Sequence, residues 1–297
     1  MDINEKCFLC KISNADTEEH VFPKWLQKKF QLWNQRITLK NGTTYRYKDI
    51  RIPCCNECNS KYLATIENQI KGWIETNSAI DEKTIFIWMF KIMYGLHYKE
   101  LFLKNNIKDK DSESIVKHEE ILARDSVNIF LFYALDKVQF VNFKPYSIYI
   151  CELDDAKLDN YFYVDEPYKL YSCIQLGKIG IVCSFQDDGY INGHIKLVNN
   201  FREPFKINQN KFAEIACLVM DLKCRMKMLP NYLVSINNGV FSFSIQPTDS
   251  KSLFKDFEID NFMKILTSIY KHYFVKMTVK DVNGEENINY KSQIVYI

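Results

Sequence analysis

Hydrophobic positions change their period several times along this chain of 297 residues. Behind Pro23, a residue that the first helical turn tolerates, Trp25, Leu26, Phe30 and Trp33 fall near helical spacing and predict a helix over Pro23–Trp33. Arg36–Lys40 and Thr44–Ile52 flank Asn41-Gly42, a hairpin signal because both turn positions accept positive φ. Tyr62, Leu63, Ile66, Ile70 and Trp73 form one stripe of a helix over Ser60–Trp73. After a seam at Asn77–Asp81, Asp81 or Thr84 caps a helix running to about Leu103, with Ile85, Trp88, Met89, Ile92 and Leu96 on its apolar face. Asn105–Glu113 is polar and reads as an exposed loop, and a second helix is predicted over Ile115–Leu135.

From Val138 to Leu197, short Tyr-, Ile- and Val-rich runs alternate with polar breaks and predict a meander of strands. Asn210–Met226 reads as a helix. Tyr232–Ile236 and Val240–Ile245 read as strands joined through Asn237-Asn238-Gly239, and Phe257–Phe274 as a last long helix. The tail has strand-like alternation at Val275–Val279 and a turn at Gly284. The class predicted is α+β. Residues 1–80 form a compact module and residues 81–297 a larger α+β domain that selects a target, senses a signal or builds a dimer.

Composition changes this picture little. Apolar residues make up 47% and charged residues 26%, ordinary for a globular chain long enough for two domains. A net charge of +2 gives no global basic field. Residues 1–80 hold twelve Lys/Arg against nine Asp/Glu, which permits a phosphate-binding face there. Met1-Asp2-Ile3-Asn4-Glu5 has neither the basic start nor the apolar run of a leader, and stretches such as Ile85–Phe90 and Ile129–Leu135 are far short of a membrane span. Cys151, Cys173, Cys183, Cys217 and Cys224 are scattered singly, which suits reduced, buried thiols in a cytoplasmic protein.

The chemistry concentrates at the N-terminus. Cys7-x2-Cys10 and Cys55-x2-Cys58 bracket Glu19-His20-Val21-Phe22-Pro23, and Asn59 follows the last cysteine. Zinc favours tetrahedral thiolate sites, and two such knuckles build one. Cys54 competes with Cys55, but only Cys55-x2-Cys58 has the two-residue spacing. A histidine can take a proton from water near neutral pH, and a carboxylate and an amide oxygen suit magnesium or manganese.

The order Cys-x2-Cys, Glu-His-Val-x-Pro, Cys-x2-Cys-Asn resembles the HNH endonucleases, over about a quarter of the chain. The resemblance implies a ββα-metal fold with zinc as scaffold, His20 as general base, and Glu19 and Asn59 as ligands of a catalytic Mg²⁺ or Mn²⁺. DNA would be the substrate, in defence against foreign DNA. The family's middle Asn position is Ile50 here, with Asp49 beside it; Asp49 substitutes if the strand register shifts, or the positioning role is missing. The helix at Pro23–Trp33 reads as an insertion.

Blander roles stand beside these. Asn59 is also a good cap for the following helix. Glu18 reads as a solvated charge and Glu67 as facing solvent, while Lys24, Lys28, Lys29, Arg46, Lys48, Arg51 and Lys61 are phosphate contacts or ordinary surface charges. His97, His118, His194 and His272 lack metal spacing. The alternative function is a non-catalytic zinc module that binds nucleic acid or protein. A Cys-His hydrolase is disfavoured because the zinc pattern already uses the cysteines near His20.

Overall fold

The computed structural model describes residues 6–39, 42–106, 109, 111–117, 129–195, 205–246 and 253–272. The chain is α+β. It divides into two units, Met1–Val141 with Leu233–Ser244, and Asn142–Tyr232 with Ile245–Ile297. The seam placed near residue 80 lies inside the first unit. Among the described residues, no helix is long and apolar enough to cross a membrane.

In the first unit, β1 (Thr17–His20) pairs antiparallel with β4 (Arg51–Cys54), setting Thr17 opposite Cys54, Glu19 opposite Ile52 and His20 opposite Arg51. Helix α1 spans only Lys24–Lys29, shorter than predicted. Gln31 takes a φ of 56°, which ends the helix, and Leu32 turns inward to be buried. The expected hairpin forms from β2 (Arg36–Thr38) and β3 (Thr44–Arg46), with Gly42 at φ +80° and Asn41 outside the described residues.

The second cysteine pair leads into π-helical turns over Cys58–Leu63, which continue as α2 (Ala64–Thr76). Of the predicted stripe, Leu63, Ile66, Ile70 and Trp73 are buried, while Tyr62 is only half-buried. Helix α2 stops at Asn77, which is left-handed and donates its N–H to the Trp73 carbonyl.

Helix α3 (Glu82–Lys99) starts where the Asp81 side chain accepts the Thr84 N–H at 2.7 Å. Every residue from Thr84 to Tyr98 is buried, so the helix has no polar face along this stretch. One side meets the β1–β4 pair, and a Cβ at Gly95 would lie 3.3 Å from Ile52 and Val21 side-chain carbons. Phe8 packs at 5.6 Å from Tyr94 and 5.3 Å from Tyr98. The other side packs Phe86 and Phe90 on Phe130. Of the helix predicted over 115–135, residues 118–128 lie outside the described residues, and Ile129–Leu135 is 3₁₀. Strand β5 (Val138–Phe140) then pairs parallel with β12 (Val240–Ile245), which also joins β11 (Tyr232–Asn237).

The second unit holds the meander. Its sheet contains β6 (Tyr146–Leu153), β7 (Tyr161–Glu166), β8 (Tyr171–Leu176), β9 (Ile179–Phe185) and β10 (Phe205–Ile207), in the order β10-β6-β9-β8-β7. Only β10–β6 is parallel. A short α4 (Tyr190–His194) precedes α5 (Gln209–Arg225), which covers one sheet face and packs on α6 (Ile259–His272). The tail strand and the turn at Gly284 lie outside the described residues.

Candidate metal centre and the His20 strand

The first knuckle closes before β1. Lys11 takes a φ of 57° and donates its N–H to the Cys7 carbonyl at 3.0 Å, turning Cys7 and Cys10 to one side. The second closes after β4, with the Asn59 N–H on the Cys55 carbonyl at 3.0 Å. The antiparallel pair brings both knuckles to the same end. The sulfurs of Cys7, Cys10, Cys55 and Cys58 all lie within 4.8 Å of one another and all four residues are buried. A tetrahedral zinc with bonds of about 2.3 Å needs sulfurs about 3.8 Å apart, so the four can hold a metal ion such as zinc.

Cys54 stands outside this set. It is buried on β4 with its sulfur 3.8 Å from that of Cys7. The thiols of Cys54 and then Cys58 hold Cys7 well below the usual thiol range, while Cys58 is pushed up by Cys7 and by burial. Burial also pushes Cys55 up. A divalent cation among these sulfurs favours their thiolate forms and so opposes the upward push on Cys55 and Cys58.

His20 ends β1 and is half-buried. Its ring stacks on Trp33 at 6.0 Å and 23°. Burial first, then the charge of Lys24, lowers its pKa to about 4. The imidazole is therefore neutral at pH 7, its ring nitrogen open to a proton but less basic than that of an ordinary histidine.

Glu19 is the buried neighbour, and it meets a residue that the motif does not contain. Its carboxylate is paired with Lys91 of α3. The Lys91 ammonium also donates to the His20 carbonyl at 2.7 Å, the Val21 carbonyl at 3.1 Å and Glu67 Oε1 at 3.1 Å. Glu67 therefore does not face solvent as expected; α2 turns it inward to this ammonium. Burial raises the Glu67 pKa to about 7 against the pull of Lys91, with Glu19 adding to the rise. Burial alone would lower Lys91, but Glu19 and Glu67 outweigh it and hold it above the ordinary lysine value.

Asn59 does not cap the helix. Its side-chain nitrogen crosses to β1, donating to Thr17 Oγ1 at 3.1 Å and the Glu18 carbonyl at 3.3 Å. Asp49 sits in a 3₁₀ turn and pairs with Arg46 at 2.7 Å, while Ile50 is buried and accepts the Val21 N–H. Glu18 is exposed and pairs with Arg51 at 2.9 Å. Lys29 and Lys61 also have acidic partners, Glu75 and Glu57, and Lys48 donates to Asn34.

The sequence reading missed Lys91. Its signal was a single lysine inside the apolar run Ile85–Met93; such a residue needs an acid to be buried.

The scattered histidines stay apart. His97 lies 3.5 Å from Glu100 in the first unit, and His194 packs on Phe254 in the second. His118 lies outside the described residues, and His272 ends α6. Cys217 is buried on α5. The second unit has buried ionisable groups of its own: Lys223 donates to the Phe185 and Gln186 carbonyls at 2.6 and 3.2 Å, and the buried Asp187 acts on its charge. Compared with known protein families, with curated proteins and with solved structures, the chain shows no match.

Proposed function

We propose that the N-terminal part of the first unit is a zinc-organised, HNH-type endonuclease that hydrolyses DNA phosphodiester bonds. The observation carrying this reading is that the four-cysteine cluster ties the strand bearing His20 to the turn bearing Asn59. Two antiparallel strands, β1 and β4, followed by α2 give the ββα order that the resemblance implies. Zinc holds the frame. His20, neutral at pH 7 and steadied by Trp33, takes the proton from the attacking water. Lys24 and Lys28 are exposed on α1, and Lys24 is close enough for its charge to act on His20, so both are available to phosphates.

Mg²⁺ or Mn²⁺ is the ion that the resemblance adds, supplying charge stabilisation at the leaving 3′ oxygen when bound. One of its two expected donors does not fit it here: Glu19 is engaged by Lys91, while Asn59 is held to β1 through its side-chain nitrogen. Among the described residues, the cysteine cluster is the one group of three or more acid, thiol or imidazole donors placed for a metal. That same observation favours a second reading, a zinc module that binds nucleic acid or protein without cutting it.

Plasmid nicking by zinc-loaded protein separates the two, with and without added Mg²⁺ or Mn²⁺ and with an EDTA control. The nuclease reading expects nicking that falls about 10²–10⁴-fold in His20→Ala. Undiminished cutting by His20→Ala would remove the assigned base. No cutting by folded, zinc-loaded protein would favour the binding module. A role in defence against foreign DNA is part of the same proposal and is read from restriction of phage growth by the parent and not by His20→Ala.

A further inference from the structure

The carboxylate that the resemblance gives to a divalent ion already faces a cation of the chain's own. Four oxygens surround the Lys91 nitrogen: Glu19 Oε1, the carbonyls of His20 and Val21 at 2.7 and 3.1 Å, and Glu67 Oε1 at 3.1 Å. An ammonium has three N–H groups. Four acceptors more than use them, so the nitrogen is fully engaged by oxygen. The Lys91 side chain is 1% exposed and that of Glu19 8%. Lys91 therefore cannot reach water while its stem stays in place.

We infer that the Lys91 ammonium is the cation of this site and that Glu19 is its counter-ion, so that Glu19 does not hold a divalent ion. Moving Lys91 aside for Mg²⁺ would leave a bare ammonium on a helix whose neighbouring residues, Thr84 to Tyr98, are all buried. Kept in place, it fixes a positive charge behind the strand and clamps the carbonyls of the two residues that follow Glu19. Lys91 is thus a positioning residue, and the working module runs through α3 instead of ending near residue 80. The inference deepens the nuclease reading, which supplies the reason to expect an ion there. Its test reads ion binding, so it stands or falls apart from DNA cleavage.

The probe is Mn²⁺ alone, followed by the electron paramagnetic resonance signal of the free ion, in zinc-loaded full-length protein at pH 8. Parent, Glu19→Gln, Lys91→Met and the double variant Lys91→Met with Glu19→Gln are compared. Parent and Glu19→Gln are expected to bind Mn²⁺ alike. Lys91→Met, with two carboxylates and no ammonium, is expected to bind it about tenfold tighter or more, and to lose that gain in the double variant. Parent binding that weakens about tenfold in Glu19→Gln would overturn the inference. So would a Lys91→Met protein with parental zinc content and tryptophan emission that gains no Mn²⁺ affinity. Should Lys91→Met fail to fold, the parent and Glu19→Gln comparison decides alone.

Discussion

Replacing Glu67 by Gln should stabilise the first unit at neutral and alkaline pH, although it deletes one partner of a buried ion pair. The cluster holds two carboxyls against one ammonium, an excess of one negative charge in a place where Glu67 is 19% exposed and Glu19 8%. Burial, opposed by Lys91 and reinforced by Glu19, raises Glu67 from 4.5 to about 7. A raised carboxyl means that the folded state binds its proton more tightly than the unfolded chain. Below about pH 4.5 both states are protonated and the group costs nothing. As pH rises toward about 7 the unfolded chain ionises first and stability falls. Above that the loss is complete, about 3 kcal/mol at most.

Gln at 67 keeps a carbonyl oxygen for Lys91, can donate its amide to Glu19, and leaves the charges balanced one to one. The variant should be about 1–3 kcal/mol more stable than the parent at pH 8, with the advantage about 1 kcal/mol smaller at pH 6. Urea unfolding of zinc-loaded protein, followed by tryptophan fluorescence, measures this. Trp25, Trp33, Trp73 and Trp88 are the four tryptophans of the chain, and all lie in the first unit. A variant less stable than the parent at pH 8 would refute the charge-excess argument. An advantage independent of pH would refute the raised carboxyl.

Two further outcomes follow from other parts of the chain. Stripping zinc with a strong chelator should red-shift the tryptophan emission and expose the thiols of Cys7, Cys10, Cys55 and Cys58 to a thiol reagent. Structural zinc contributes about 10–16 kcal/mol in small zinc-finger sites, comparable to a domain's whole stability; unchanged emission in protein shown to be zinc-free would sink the structural role. In the second unit, a Cβ at Gly180 would lie 2.5 Å from a ring carbon of the buried Phe212. Gly180→Ala should therefore cost about 1–3 kcal/mol in urea unfolding followed by circular dichroism, part of it recovered by adding Phe212→Leu; no loss in the single variant would show that β9 and α5 pack less closely than described.

What the sequence disclosed was local. The two Cys-x2-Cys pairs announce themselves by spacing, the Asn-Gly hairpin by turn chemistry, and the α2 stripe by period. Pairings over long separations were hidden. Strand β12 lies parallel to β5, with Phe241 opposite Val138, a partnership about 100 residues apart that carries Leu233–Ser244 back to the first unit. Nothing in either run specifies the other. For α3 the one-faced reading was too narrow, although Ile85–Phe90 is apolar without a break, the mark of a helix buried all round.

That unbroken run is also where the candidate site becomes more than its motif. A lysine at position 91 can either extend its head to water or find an acid in the interior. At 1% exposure the first course is closed, so Lys91 needs a carboxylate. Its own helix does not supply one in contact with the ammonium; the partners are Glu67 and Glu19, 24 and 72 residues back in the chain. One of these adjoins His20, and the ammonium that satisfies it also holds the His20 carbonyl. The requirement to bury one charge therefore ties the imidazole's backbone to α3. A change at position 91 should be felt at His20 even though the two side chains share no motif.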